Sequence, residues 1–534
     1  MPVTKNLHNA LKRLRYPHKV RTLWVDAICI NQGNTKERSH QVAFMDMIYK
    51  NADAVLVHMG EDRDGGGPQV VSLIEETKVR ALSYPSFEDM PVIHTTDPIL
   101  ADSRWKEISR LLKLPWFSRA WVIQEAGLGK TVIAVYGHVE FDYHDFIRLM
   151  KWVVKYAGRL EARYDLVWWY IHLDWSDWSK PPNKTNAHDL LVFLYQARAL
   201  KCTDARDHIY AFSGHSLMRS EDGTPIVTPD YETSVEVLYR NIAAHFLSNG
   251  DTRIMASIEH DEDSFAKGQT WAPRWDINLI ASDFGVLPEN WYRFSGSTEG
   301  EREAKIGVYE KHIEARGVLF DVIRKSFKFP ANIEADDPEL PTPKYMESLK
   351  ESNIPKDPLV LDWVLAEMKT GLVNYPNNGQ DLIDAFSLAL CAGRTTYLYE
   401  PAEENMKQHR DNFAAYWKLR QSALRRDEPT DDFNGDPNEG DAEQFVLDIQ
   451  QSCQARSFVI TQKGYVGLGP SITKAGDACS FIPGSRVPFV LRQSQGGDTR
   501  FRLVGEAYLH GLMRGEVFDL IGRDDLKEET IVIL

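Results

Sequence analysis

The chain reads as an α/β protein whose N-terminal part alternates strands and helices around a parallel sheet. Three apolar runs lead there. Trp24-Val25-Asp26-Ala27-Ile28-Cys29-Ile30 ends at the polar pair Asn31-Gln32, and a short apolar run bounded by turn residues predicts a buried strand. Ala54 to Met59 is a second such run, with a helix-like pattern between the two. That order, strand, helix, strand, has the length of a βαβ unit. Thr131 to Tyr136 is the third run.

The elements between these runs follow from spacing. Leu7, Ala10, Leu11 and Leu14 stand at i, i+3, i+4 and i+7, which predicts an amphipathic helix over 6–15 with Asn6 as its N-cap and Pro17 beyond its end. A helix over 35–49 presents Val42, Met45 and Tyr49 on one face. Helices are expected at about 69–82, at 104–113 and, after Pro115, at 116–126, where Gly127 and Gly129 stop the last one. From 143 to 260 the pattern turns helical, notably at 187–200 and 232–248. A strand is expected at 311–319 and helices again over 357–425. The last part, 455–534, alternates apolar runs with glycine turns and reads as β-rich. The expected divisions are 1–140, 141–425 (mostly helical), an acidic disordered linker at 426–445, and 446–534.

Composition excludes several classes of function. The 534 residues carry a formal net charge of -15, so a broad nucleic-acid-binding surface is not expected. The five cysteines are scattered and form no CxxC pair, which argues for reduced thiols rather than a zinc knuckle or a disulfide framework. Residues 1–20 lack the apolar core of a secretory signal, and no apolar run is long enough for a transmembrane helix, so a cytoplasmic protein is expected. The cluster Val167-Trp168-Trp169-Tyr170-Ile171-His172-Leu173 is read as a buried helix face rather than a membrane-interface patch.

Nucleotide motifs fail on position. Gly127-Leu128-Gly129-Lys130-Thr131 resembles the end of a phosphate loop, but Gln124 stands where the first glycine belongs, and a strand follows rather than a helix. The glycines 65–67 do not form a dinucleotide fingerprint, and neither HExxH nor GxSxG occurs. No cofactor and no metal are therefore expected.

The candidate site residues are carboxylates in apolar surroundings. Trp121 and Glu125 lie one helical turn apart and share a face. A carboxylate beside an indole is partly desolvated, which raises its pKa and suits it to acid-base or cation-stabilising work. The simpler reading of the same spacing is a surface pair of Glu125 with Arg119 or Lys130. Asp26, Asn31 and Gln32 stand at a strand end, where open α/β sheets bind ligands, and would hold a ribose or an amide. Alternatively Asp26 caps the next turn or pairs with Arg38. Cys29 is expected to be a buried small side chain. Asp204, Arg206, Asp207 and His208 read as a charged turn with a helix N-cap, and a metal site there is the weaker reading.

Together these motifs resemble a known family. Leu23 to Gln32, Glu37 to Val42, Met45 to Tyr49, Ala52 to Val57 and Pro115 to Ala126 are similar, in order and spacing, to the heterokaryon incompatibility (HET) domain of filamentous fungi. Thr203 to Phe212 and Pro229 to Tyr231 resemble the segment that follows it. Gly476-Asp477 through Arg492, Gly505 to Tyr508 and Gly511 to Glu516 resemble the C-terminal end of such proteins. The resemblance implies fungal self/non-self recognition and programmed cell death, with self-association or other incompatibility proteins as partners. It also implies a distant TIR likeness and a flavodoxin-like parallel sheet. Some TIR domains cleave NAD with a glutamate in a Trp-x-x-x-Glu context, which Trp121 and Glu125 fit. On that analogy Glu125 would be catalytic, NAD the substrate, and Asp26, Asn31, Gln32, Arg38 and Trp121 would line the pocket. An inactive paralogue is the third reading. The family's usual first strand is not seen before the helix at 6–15, so the HET domain is expected to lack its central strand.

Overall fold

The computed structural model describes residues 3–84, 90–94, 96–157, 159–166, 190–220, 222–277, 283–286, 292, 304–329, 360–371, 375–376, 379–394, 402–424, 434–494, 499–524 and 526–534. The tryptophan cluster at 167–173 lies outside them. The chain divides into two compact units. The first is Met1–Leu238 with Trp275–Ile277, and the second is Tyr239–Arg274 with Asn278–Leu534. The first unit therefore extends well past residue 140, where the sequence suggested a boundary.

The first unit is built on a three-stranded sheet, β1 (Val55–Gly60), β2 (Val132–Tyr136) and β3 (Val139–Asp142), in that order. β1 and β2 run parallel, with Val57 opposite Ala134, whereas β2 and β3 form an antiparallel hairpin. The architecture is mixed α/β, as expected, but in this sheet β1–β2 is the one parallel pair among the described residues. Helices arise close to three of the expected ranges, α1 (Lys5–Leu14), α5 (Gly67–Leu82) and α6 (Trp105–Leu112), whereas the one expected over 116–126 is a short 3-10 turn at Pro115–Ser118 followed by α7 (Trp121–Leu128). The N-cap of α1 is Thr4, whose hydroxyl accepts from Leu7 N at 3.2 Å, and not Asn6. The core lies between the sheet, α5, α6 and α8 (Tyr143–Tyr156). There Trp105 and Trp152 stack with centroids 6.3 Å apart, and the Trp105 indole N–H reaches Ile99 O at 2.8 Å.

The stretch Trp24–Gln32 is not a strand. Asp26–Cys29 forms one helical turn, α2. Val25 O accepts from both Ile28 N and Cys29 N, and Asp26 O accepts from Ile30 N. The turn thus closes its backbone hydrogen bonds locally, whereas a strand would need a neighbour to supply them. Ile30 alone in this run is buried, and Cys29, expected inside, is exposed. The single helix expected over 35–49 is two, α3 (Thr35–Val42) and α4 (Met45–Asn51), broken at Ala43-Phe44, and both Val42 and Met45 are buried.

The second unit centres on a nine-stranded sheet. Its spine is the long strand β5 (Ile313–Lys328), longer than the 311–319 expected. β4 (Ile306–Val308) pairs with β5. The remaining strands are β6 (Arg456–Thr461), β7 (Val466–Pro470), β8 (Ala478–Phe481), β9 (Phe489–Gln493), β10 (Phe501–Glu506), β11 (Tyr508–Leu509) and β12 (Glu529–Ile533). β5 pairs with β12 through 313–317 and with β8 through 318–322. The path β5-β12-β10-β9-β8 therefore returns to β5 and closes a barrel, which removes free edges. Gly317 sits where β8 crosses closest: a Cβ there would lie 2.6 Å from Phe481 O.

Part of the acidic stretch 426–445, expected to be a disordered linker, is ordered. Residues 434–441 lie along the helix Met406–Ala423. Asp436 N donates to Asp411 Oδ1 and Asp441 N to Asn412 Oδ1, each at 2.8 Å. A Cβ at Gly440 would come within 1.9 Å of Asp411 O, so glycine alone permits that approach. Asp441 then caps the helix Ala442–Cys453. Two of the charges in the described part serve the fold: Asp436 Oδ1 accepts from Asn438 N at 2.9 Å and Asp441 caps the helix.

Candidate functional site

The predicted site residues fall in the first unit, and Glu125 lies where α4 and α7 meet. Gln124 fixes that junction from inside. With its amide oriented to satisfy both ends, its nitrogen donates to Ala211 O at 2.7 Å and its oxygen accepts from Asp46 N at 3.0 Å. Glu125, the next residue on α7, is half-buried. No hydrogen bond to its carboxylate exists among the described residues. Burial raises its pKa to about 7, Arg119 opposes this, and Asp26 adds to it. Tyr49 of α4 shares the environment. Its hydroxyl is held well above the ordinary value by burial and then by the charges of Glu125 and Asp26. Its ring meets Trp24 edge-on, 5.8 Å between centroids. Glu125, Asp26, Tyr49 and Arg119 therefore share one electrostatic neighbourhood. A carboxyl poised near neutrality can hold or release a proton there.

Asp207 organises a second set. Its Oδ1 accepts from Tyr231 Oη at 2.5 Å, and its Oδ2 accepts from Trp121 Nε1 at 3.1 Å and Arg38 at 3.3 Å. Arg38 also reaches Asp204 at 3.2 Å and lies over the Tyr231 ring, 3.6 Å from its centroid. Arg206 clasps Asp204 through two 2.9 Å bonds and donates to Thr233 O at 3.0 Å. Ser39 Oγ accepts from Tyr231 N at 3.0 Å. Burial raises the Asp207 pKa, and its three donors resist that. Burial also pushes on Asp204, but Arg206 and Arg38 overcome it and hold that carboxyl below its ordinary value.

Of the residues singled out from sequence, Asp26 and Glu125 come together. Arg38 and Trp121 are brought together too, but on Asp207, so Arg38 does not pair with Asp26. Their donors tie α3 and α7 to the 204–233 segment. Asn31 and Gln32 lie in an exposed turn. Asn31 Oδ1 accepts from Gly33 N at 3.2 Å, and Gln32 Nε2 donates to Asp26 O at 3.4 Å. Asp204 and Asp207 are engaged by arginines. Sequence reasoning assigned Tyr49 only to a helix face and Tyr231 only to a motif. No local signal joins residues 169 apart.

The second unit holds a carboxyl with the same shift and different surroundings. Burial raises Glu506, 4% exposed, to about 7 as well. Its Oε1 accepts from Arg456 at 2.7 Å and from Phe284 N at 2.8 Å, and the guanidinium lies over the Phe284 ring.

Comparison with known proteins bears on both units. Residues 1–125 match the family model described as heterokaryon incompatibility protein (HET). Residues 398–527 match the Het-6 beta-barrel domain. The chain is 24% identical, over 619 aligned positions, to "Heterokaryon incompatibility protein 6, OR allele" of Neurospora crassa, an alignment that spans 98% of this chain and 86% of that protein. No solved structure matches. The barrel match omits β5 and β12, both of which the closed ring requires.

Proposed function

We propose that this chain acts in fungal self/non-self recognition of the heterokaryon incompatibility type. The observation that carries this reading is the pairing of a HET match and a Het-6 barrel match in one chain, aligned nearly end to end with an incompatibility protein. The HET region would trigger cell death, by self-association or through contacts with other incompatibility proteins. No described helix is long and apolar enough to cross a membrane. The test is regulated expression of the chain in a filamentous fungus, with fusion to strains carrying different incompatibility alleles. Vital-dye uptake in fused compartments is the expected result. Normal growth of every fused compartment would overturn the proposal.

A second reading rests on one observation, the half-buried Glu125 whose carboxyl titrates near neutrality beside Asp26 and Tyr49. In that reading the HET region cleaves NAD as some TIR domains do, and Glu125 stabilises the oxocarbenium-like transition state. Neither family match names such an activity. Nicotinamide release from NAD that Glu125→Gln abolishes would favour this reading. Its absence at high protein concentration, with cell death retained, would remove it.

A further inference from the structure

Glu125 stands on α7, a helix of eight residues whose N-cap, Ala120, has no side-chain group to cap it. A helix that short does not hold its place or its rotation through its own hydrogen bonds. Three ties supply both, and all three come from residues 201–211. At the start of α7, Ala120 N donates to Lys201 O at 3.2 Å, beside a bridge in which Lys201 N donates to Ser118 O at 2.6 Å. One residue on, the Trp121 indole N–H donates to Asp207, and further along Gln124 donates to Ala211 O. Trp121 and Glu125 share a face of α7, and Gln124 lies on the adjoining one. Ties on two faces fix the rotation of a helix as well as its height.

The stretch that supplies these ties is itself anchored. Ile209, Ala211 and Phe212 are fully buried, and Phe212 meets Phe193 edge-on at 5.1 Å. The same stretch holds α4. Gly214 lies against Asp46, where a Cβ would come within 2.4 Å of the aspartate Cβ, and Arg219 stands 3.8 Å from the Asp46 carboxylate. Asp207 adds α3 through Arg38. Tyr49 on α4 and Glu125 on α7 therefore take their relative position from residues 201–219. The HET match, residues 1–125, contains Glu125 and none of that stretch.

We propose that Asp207 is the positioning residue of the Glu125 site, acting through the Trp121 indole, and that residues 201–219 belong to the working HET unit. Asp207 acts at one remove: it sets the rotation of α7 that keeps the Glu125 carboxyl beside Asp26 and Tyr49. Tyr231 holds the other oxygen of Asp207, and Arg38 shares the one that meets the indole. The carboxylate is thus aimed at Trp121 from both sides. The inference deepens the reading in which Glu125 does chemistry, and rests on that reading only for what the carboxyl does.

The test follows the titration of Glu125 in the full chain. The stability of each protein is compared with that of its Glu125→Gln counterpart between about pH 4 and pH 9, and the pH at which the two part gives the carboxyl's midpoint. In the wild-type chain that midpoint is about 7, raised by burial and Asp26 against Arg119. Asp207→Asn sets an amide N–H₂ against one of the donors. Trp121→Phe removes the indole N–H and changes no charge. Both should lower the midpoint by about one unit or more, a tenfold loss of proton affinity. Tyr231→Phe keeps the indole tie and should leave the midpoint where it is. An unmoved midpoint in the folded Asp207→Asn and Trp121→Phe proteins would overturn the proposal, because a merely structural Asp207 lowers stability alike at every pH. So would a fall in Tyr231→Phe as large as in Trp121→Phe, since any loosening of the network would then serve. Should one of the first two variants fail to fold, the other decides. Neither NAD nor a fungal strain enters these measurements. A shifted midpoint without nicotinamide release keeps the positioning and removes the chemistry, and release with an unshifted midpoint does the reverse.

Discussion

Glu125 and Glu506 are both pushed to about 7 by burial, yet they belong to different kinds of site. Glu506 is enclosed in the barrel unit, bonded to Arg456 and to Phe284 N. Glu125 is half-buried and accepts no hydrogen bond among the described residues, with Arg119 acting only as a nearby opposing charge. A raised carboxyl pKa therefore measures burial and says little about use. What separates the two is whether the surroundings already supply the carboxylate with donors: Glu506 Oε1 takes two, while its Oε2 is buried without a hydrogen bond among the described residues. A carboxyl tied to its own fold is structural by default, and one left open is available to a ligand.

The largest effect should come from breaking the closed site. Arg456→Ala leaves Glu506 buried without its cation and is expected to cost about 3–5 kcal/mol in chemical denaturation. The loss should be larger at pH 8 than at pH 5, because the orphaned carboxyl can take a proton at the lower pH. A loss under about 1 kcal/mol at both pH values would mean the pair is not closed as described.

The open site should respond with the opposite sign. Glu125 titrates at about 7 in the folded chain, above the ordinary 4.5, so the folded state binds the proton more tightly. Its contribution to stability is present below pH 4.5 and is lost as pH rises through 7. Glu125→Gln keeps the shape without the charge. It should match wild type at pH 4 and exceed it above pH 7, by at most about 3 kcal/mol. Denaturation curves at the two pH values check this. A variant less stable than wild type at pH 8 would show that the carboxylate has a partner after all.

Asp207 behaves as a Glu506 within the first unit, its oxygens taken by Tyr231, Trp121 and Arg38. Asp207→Ala leaves those donors unpaired and should cost about 2–3 kcal/mol. If NAD cleavage is observed at all, comparing its loss in Asp207→Ala and in Glu125→Gln would distinguish a frame from a reactive group.

How much of this was legible in the sequence depended on distance along the chain. Helix α1 declared itself through apolar spacing, and β1 and β2 through short apolar runs. Trp24–Ile30 did not, because an apolar run of that length fits a strand or a turn equally well, and only its neighbours decide. The neighbourhood of Glu125 was half legible. Trp121 and Glu125 were correctly placed on one helix, but the partner of Trp121 is Asp207, 86 residues away. Gly440 and the acid residues around it looked like a linker, since the helix they rest on cannot be inferred from local charge. β5 was foreseen only in its first half, and its second half is where β6 pairs with it.

The smallest effect tests openness directly. Cys29 lies on the exposed turn that begins with Asp26, whereas Cys391 and Cys479 are buried in the barrel unit. Burial pushes the Cys391 and Cys479 thiols above their ordinary range, so they are poor nucleophiles as well as inaccessible. A thiol reagent added to the native protein should label Cys29 first and leave those two until the chain unfolds. Cys29→Ser should change stability by less than about 0.5 kcal/mol. If Trp24–Gln32 were instead a buried strand, both results would invert. Cys29 would resist the reagent, and the serine would carry the cost of an unpaired buried hydroxyl. The two thiol environments thus report, with almost no perturbation, whether the wall beside Glu125 is open and the one around Glu506 closed.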